Sequence, residues 1–281
     1  MSATTGFVDL HTHTTCSDGL LSPRELVSHA SNCGLEAISV TDHDSVHGVT
    51  DAQAAGIGLG VDVLAGVELS ASGAYAEIHV LGYLFDPESP ELECMLQRYR
   101  RRRFERAEKI VERLNELGVP LQMSQVVELA GATAIGRPHL AQALTNNGFA
   151  NSFDDAFRKY LRRGSEAFVA KERLSPQEAI RVIHDAGGVA VVAHPTYGPN
   201  EQELRAMVEA GLDGIEVRHP LLSANDTARF TKIAKQYTLV PTGGSDYHGV
   251  GRSKCELGGM RVTREAVHAL RERQAQLAAG R

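Results

Sequence analysis

Residues 21–44 read LSPRELVSHASNCGLEAISVTDHD, and residues 174–194 read LSPQEAIRVIHDAGGVAVVAH. The two stretches share one plan. Ser22 and Ser175 stand where a helix N-cap is wanted, Pro23 and Pro176 occupy the first helical position, and Glu25 and Glu178 follow three residues after the cap. This is the capping box, in which the two side chains satisfy each other's backbone N–H groups. Gly34 and Gly187 then supply the left-handed residue that ends a helix. A short β-branched run follows in each, Ala37–Val40 or Val189–Val192, and polar residues come directly after it: Thr41-Asp42-His43-Asp44 in one, Ala193-His194 in the other. A third unit passes through Ala210-Gly211 into Ile215–Val217 and Arg218-His219. Repeated units that each deliver polar residues just past a strand predict a barrel or a doubly wound sheet. In a barrel such residues converge at the C-terminal strand ends.

Working outward, Val8–Leu10, Val63–Val67, Ile78–Leu81 and Leu239–Val240 complete a set of seven strand candidates. They are brief and do not alternate strictly, as strands of a buried parallel sheet should be. Residues 96–173 break the pattern, with helical stretches over Leu96–Leu117 and Ser152–Arg163 and little strand signal. This segment carries 15 Lys and Arg against 9 Asp and Glu, although the whole 281-residue chain has a net charge of -6. The expected organisation is therefore a discontinuous barrel, residues 1–95 and 174–281, with a basic helical insertion at 96–173 contributing to substrate binding. The run Arg98-Tyr99-Arg100-Arg101-Arg102-Arg103 reads as a solvated helix face or as a steering field for a polyanion.

Composition excludes several classes. At 42% hydrophobic and 23% charged residues the chain is neither disordered nor of low complexity. Its acidic balance argues against a general nucleic-acid coat, and its 5% aromatic content against a stacking platform for single strands. Cys16, Cys33, Cys94 and Cys255 show no paired spacing and read as free thiols. No leader and no membrane span are read from the sequence, so a cytoplasmic protein with no obligate protein partner is expected.

The polar residues carry the chemistry. His11 and His13 follow the first strand run, and alternation sets both on one side. Asp18 lies in the next loop, His43 and Asp44 past the second strand, Glu68 past the third, His79 within the fourth, His194 at the end of the fifth, and Asp246 and His248 after the last. So many carboxylates and imidazoles share one pocket only with cations to offset desolvation and repulsion. The set exceeds one tetrahedral ion and suits two or three. Imidazole with carboxylate and no thiolate admits Mn2+, Fe or Zn, and Mn2+ is favoured. Gly243-Gly244 is too short for a phosphate-cradling loop and reads as a close backbone approach.

His11-Thr12-His13, Thr41-Asp42-His43-Asp44, Gly66-Val67-Glu68, Ala193-His194-Pro195 and Ser245-Asp246-Tyr247-His248 together resemble the PHP (polymerase and histidinol phosphatase) family of metallophosphoesterases. The resemblance implies a distorted (β/α)7 barrel within the α/β class. It also implies three metal sites: His11, His13, Glu68 and Asp246; Asp18, His43 and His248; and Glu68, His79 and His194. Asp18 departs from many members, which have His there. Asp246, His248 and His43 are the expected catalytic residues. With Gly136-Arg137-Pro138-His139 inside the insertion, the chain looks most like the branch that removes the 3'-phosphate of adenosine 3',5'-bisphosphate, leaving AMP. Arg137, His139, Lys171, Arg173, Asp44 and His219 are then candidates to touch a nucleotide substrate. The alternatives are histidinol phosphate, a short oligoribonucleotide attacked from its 5' end, or a cyclic amide. The last usually needs a metal-bridging strand-end Lys, and no strand end here offers one.

Overall fold

A computed structural model describes residues 6–73, 77–131, 135–170, 174–196 and 198–280. The first half runs β1 (Phe7–Thr12), α1 (Pro23–Asn32), β2 (Ala37–Val40), α2 (Val49–Leu59), β3 (Asp62–Ser72), β4 (Glu77–Tyr83), α3 (Pro90–Glu116), α4 (Met123–Ala130), α5 (Arg137–Asn146) and α6 (Phe153–Ala156). The second runs α7 (Pro176–Asp185), β5 (Val189–Val192), α8 (Glu201–Glu209), β6 (Gly214–Arg218), α9 (Ala224–Tyr237), β7 (Val240–Gly243), β8 (Val262–Thr263) and α10 (Glu265–Ala279). Both expected capping boxes form: Ser22 and Ser175 accept from the N–H of Glu25 and Glu178, whose carboxylates accept from the two cap residues in return.

The strands make one sheet in the order β7-β6-β5-β4-β3-β2-β1-β8. Beyond β7 the chain turns back against β1: Tyr247 bridges Thr12 in parallel, and His13 N–H donates to Tyr247 O at 2.9 Å. That contact brings the two ends of the eight-stranded sheet together in a nearly closed barrel. Two features correct the expectation of a parallel sheet. β4 is antiparallel to both β3 and β5, because β3 and β4 are joined by a short connection with no crossover helix. β8, which no apolar run announced, pairs antiparallel with β1. β3 also runs on to Ser72, so Glu68 lies within a strand rather than past one.

The chain divides into two compact units, residues 1–95 with 173–281, and residues 96–172. The first has a core of Leu10, Leu64, Leu81, Tyr83, Val189 and Val191, joined by Val267 and Leu270 of α10. Tyr83 is fully buried, and its hydroxyl donates to Leu10 O at 2.8 Å, so its polar tip costs little. α10 covers the N-terminal strand ends. Its Arg271 pairs with Asp62 at the start of β3, and its Arg273 with Asp213 just before β6. The opposite, C-terminal ends are left for the polar residues. The helical unit has its own core, in which Ala107, Ile110, Val111 and Leu114 form an apolar stripe on α3 against Leu140 and Leu144 of α5. Among the described residues no helix is long and apolar enough to cross a membrane.

Candidate metal centre

Glu68 stands at the middle of the barrel rim, buried in β3. Its Oε2 lies 3.2 Å from His11 Nε2, 3.3 Å from His13 Nε2 and 3.1 Å from His43 Nδ1. Its Oε1 lies 2.6 Å from His79 Nδ1 and 3.0 Å from His194 Nε2. One carboxylate thus meets five imidazoles. Asp246 Oδ1 sits 3.2 Å from His13 Nε2 and 3.5 Å from both His11 Nε2 and His248 Nδ1. Asp18 Oδ1 is 3.2 Å from His248 Nε2. Local backbone serves this convergence. Gly244 passes so close to His11 that any Cβ there would collide with its backbone. His194 and Asp246 both hold positive φ, 26° and 53°, a conformation that persists only where surrounding contacts enforce it.

The donors fall into groups whose candidate ligand atoms lie within 4.8 Å of one another: His13, Asp18, His43 and His248; His11, His219 and Asp246; His11, Glu68 and His194; His43, Glu68 and His79. All nine residues read from the sequence as ligands are in this cluster. The grouping differs from the one the resemblance implies: His13 joins the set of Asp18, and His219 stands beside His11 and Asp246.

The donor chemistry fits cations. Nε2 of His13 and Nδ1 of His43 are buried without a well-formed hydrogen bond, although Glu68 Oε2 is 3.3 and 3.1 Å away. Closeness without donor geometry is what two ligands of one ion show. Outer partners also set the tautomers. His11 Nδ1 bonds to Glu216 Oε1 at 3.0 Å, and His248 Nδ1 to the carbonyl of Asp246 at 2.9 Å. Each therefore keeps its proton on Nδ1 and turns the Nε2 lone pair to the cluster. His219 is the reverse: its Nδ1 accepts from Leu221 N–H at 3.1 Å. When neutral it carries its proton on Nε2, 3.5 Å from Asp246 Oδ2.

Comparison with known proteins agrees with this geometry. The PHP domain matches residues 9–163. The chain belongs to the PHP domain family. PHP relatives include the 5'-3' exoribonuclease Rnm of Escherichia coli, 35% identical over 85% of this chain and 84% of that one. The phosphoribosyl 1,2-cyclic phosphate 1,2-diphosphodiesterase of Eggerthella lenta is 34% identical over 86% and 94%. The 3',5'-nucleoside bisphosphate phosphatase of Chromobacterium violaceum is 32% identical over 89% and 90%. A solved structure from Bifidobacterium adolescentis, assigned as a metal-dependent phosphoesterase, superposes with a TM-score of 0.83 at 33% identity and covers 96% of each chain. This PHP chain is thus a metal-dependent phosphoesterase with a barrel fold.

Electrostatics of the PHP cluster follow from its burial. Burial opposes charge on His13, yet Asp246 and Glu68 outweigh it and hold the imidazole up at about 10. Burial wins at His43, which is pushed down to about 4 against the pull of Glu68. Burial would raise Glu68, but His43, His79 and His11 keep its carboxyl well below the ordinary range. Asp246 is likewise lowered, burial being outweighed by His11, His13 and His219. The carboxylates stay charged because imidazoles crowd them, the part divalent ions take when bound.

Three buried acids were missed as functional residues. Glu216 lies in β6, fully buried, where it orients His11 and accepts the His194 N–H at 2.7 Å. A charged residue inside the apolar run Ile215–Val217 was its only sequence signal. Asp42 accepts from Thr14 N–H, Thr14 Oγ1 and Ser17 Oγ at 2.6–2.7 Å and so shapes the loop that carries Asp18. Asp9 accepts the N–H groups of Ser245 and Gly258 at 2.9 and 2.8 Å and anchors the segment bearing Asp246.

The expected substrate contacts are placed as follows. Asp44 is buried, and its Oδ1 accepts from Ser70 N–H at 2.9 Å, tying the β2 end to β3. His219 is buried within the cluster itself. Arg137 and His139 begin α5 in the helical unit. There the Arg137 guanidinium stacks 5.7 Å from the Phe157 ring, and His139 Nδ1 accepts from Gly136 N–H at 3.1 Å. Lys171 and Arg173 lie outside the described residues.

Proposed function

We propose that this phosphoesterase cleaves the bond between O3' and phosphorus in a nucleotide that carries a 5'-phosphate. The primary substrate is a nucleoside 3',5'-bisphosphate such as adenosine 3',5'-bisphosphate, which yields AMP and phosphate. The observation carrying the metal-dependent part is the single buried carboxylate, Glu68, in contact with five imidazoles. The nucleotide part is supported by two relatives, one named a 5'-3' exoribonuclease and one a 3',5'-nucleoside bisphosphate phosphatase. A 5'-3' exoribonuclease releasing 5'-mononucleotides breaks O3'–P beside a 5'-phosphate, as a 3',5'-bisphosphate phosphatase does. Their leaving groups have the same chemistry, and they differ only in what the phosphorus carries. Attack of a short 5'-phosphorylated RNA is therefore the second reading.

His11, His13, Asp18, His43, Glu68, His79, His194, Asp246 and His248 would hold the ions; imidazole with carboxylate and no thiolate admits Mn2+, Fe or Zn, of which Mn2+ is the one proposed. When bound, such ions lower the pKa of water and offset charge on phosphoryl oxygens. The chain's residues do the rest. Glu216 keeps His11 in the tautomer that offers Nε2. Asp246, His248 and His43 face the reacting phosphate. His219 holds a proton on Nε2 beside Asp246, where it can donate to the departing O3'. Arg137 and His139, with Lys171 and Arg173, draw the anionic substrate from the insertion.

The test is a panel of adenosine 3',5'-bisphosphate, 5'-phosphorylated tri-ribonucleotide and histidinol phosphate, with the Mn2+-loaded enzyme. Fastest release of phosphate from the bisphosphate supports the reading. Preference for histidinol phosphate overturns it.

A further inference from the structure

A cavity of about 290 Å³ opens beside the metal centre, lined by Asp18, His219, Asp246 and His248 and by two cations, Arg252 and Lys254. Its size is near the lower end for ligand sites, enough for part of a nucleotide. The two cations sit on the turn after His248, and this turn is tied to the cluster. Ser253 Oγ accepts from His248 N–H at 2.7 Å and from Gly249 N–H at 3.1 Å. The N–H groups of Arg252 and Ser253 both donate back to Gly249 O at 3.2 Å. Gly249 makes the bend with φ of 114°, a conformation suited to glycine. Arg252 Nη1 donates to the carbonyl of Asp18 at 2.7 Å, and Asp18 Oδ1 lies 3.2 Å from His248 Nε2. The basic turn therefore keeps a fixed relation to two candidate metal ligands.

Among the described residues, neither Arg252 nor Lys254 forms an ion pair with a carboxylate. The charge balance sharpens this. Asp18, Glu68, Asp246 and the buried Glu216 bring four negative charges, which two divalent ions balance and three exceed by two. A loaded cluster then has no negative charge left over for Arg252 and Lys254, and an entering anion supplies it. The guanidinium uses Nη1 on Asp18, and its other N–H groups suit a phosphate.

We propose that Arg252 and Lys254 bind the non-reacting 5'-phosphate of the substrate while its 3'-phosphate lies against the metal centre. This rests on the nucleotide reading above and deepens it: the turn is what distinguishes a bisphosphate from a monophosphate.

Arg252→Gln and Lys254→Gln are compared with wild type, loaded with Mn2+, on adenosine 3',5'-bisphosphate and on adenosine 3'-monophosphate. Loss of a charge-assisted phosphate contact lowers the bisphosphate-to-monophosphate ratio of kcat/KM by about ten-fold or more in each variant, chiefly through KM. Arg252→Lys recovers part of it. A ratio equal to wild type, or equal losses on both substrates, overturns the proposal, the latter because the cations would then serve the reacting phosphate. Calorimetric titration with AMP, which carries the 5'-phosphate alone, reads the subsite without turnover. Its Kd rises about ten-fold or more in the variants, and an unmoved Kd overturns the proposal. If wild type hydrolyses neither nucleotide, the nucleotide reading fails and the AMP titration still decides the subsite. Metal content shows whether the site of Asp18 survives Arg252→Gln. Lys254→Gln, which breaks no bond to a ligand residue, answers if it does not.

Discussion

The barrel unit and the helical unit bury different things. The barrel rim buries His11, His13, Asp42, Glu68, Glu216 and His219, all nearly inaccessible. In the helical unit, among the described residues, Asp155 is the one buried charge, and the core is otherwise apolar. Its Asp155 is also the ordinary kind: it accepts Asn151 N–H at 3.0 Å and pairs with Lys159 at 2.7 Å one turn on. The contrast teaches that the interior of the helical unit is built for packing and the buried rim of the barrel for binding. Crowded carboxylates and imidazoles without ions destabilise a fold, so the barrel depends on ligands in a way the helical unit does not.

The largest expected break in this contrast is Glu68→Gln. Turnover falls by on the order of 10³ or more and metal content drops, since five imidazoles lose their shared partner. Metal analysis with steady-state kinetics checks it, and a variant that keeps both would remove Glu68 from the centre. Next comes Leu114→Ala in α3, fully buried in the helical core. It costs about 2–5 kcal/mol, read by urea denaturation, while metal content per chain holds. Loss of metal there would mean that the two units do not differ as described.

Removing ions sharpens the same point. Addition of Mn2+ at about 100 times its Kd to chelator-treated protein stabilises the folded state by about 2.7 kcal/mol per independent site. Differential scanning calorimetry should show the gain in the transition of the barrel. An equal gain in a Glu68→Gln variant would contradict it. Glu216→Gln removes only the carboxylate that orients His11, and metal affinity falls by about 10–100-fold. Competition with a chromogenic chelator measures this. Smallest is Arg101→Ala. Arg101 is 82% exposed and paired with Glu105 one turn away, so stability changes by less than about 0.5 kcal/mol.

Much of this was legible in residues alone. Ser22 with Glu25 and Ser175 with Glu178 announce helix starts because capping is local chemistry, decided within four residues. Ala37–Val40 and Val189–Val192 read as strands and are strands to the residue. β8 was not legible, because two residues give no periodicity. The antiparallel placement of β4 was not either: an apolar strand reads the same in both directions, and only its neighbours decide. Glu216 was hidden because its value lies in His11, 205 positions away in the chain.

By itself the sequence determined which residue types stand at the strand ends and that they suit several cations, because ligand chemistry belongs to the side chain. Tertiary structure alone decided that Glu68 meets five imidazoles at once. It also decided that His11 and His248 offer Nε2 while His219 keeps its proton there, and that the turn holding Arg252 is bolted to Asp18 and His248. Tautomer and proximity are set by partners distant in the chain, which barrel closure brings together.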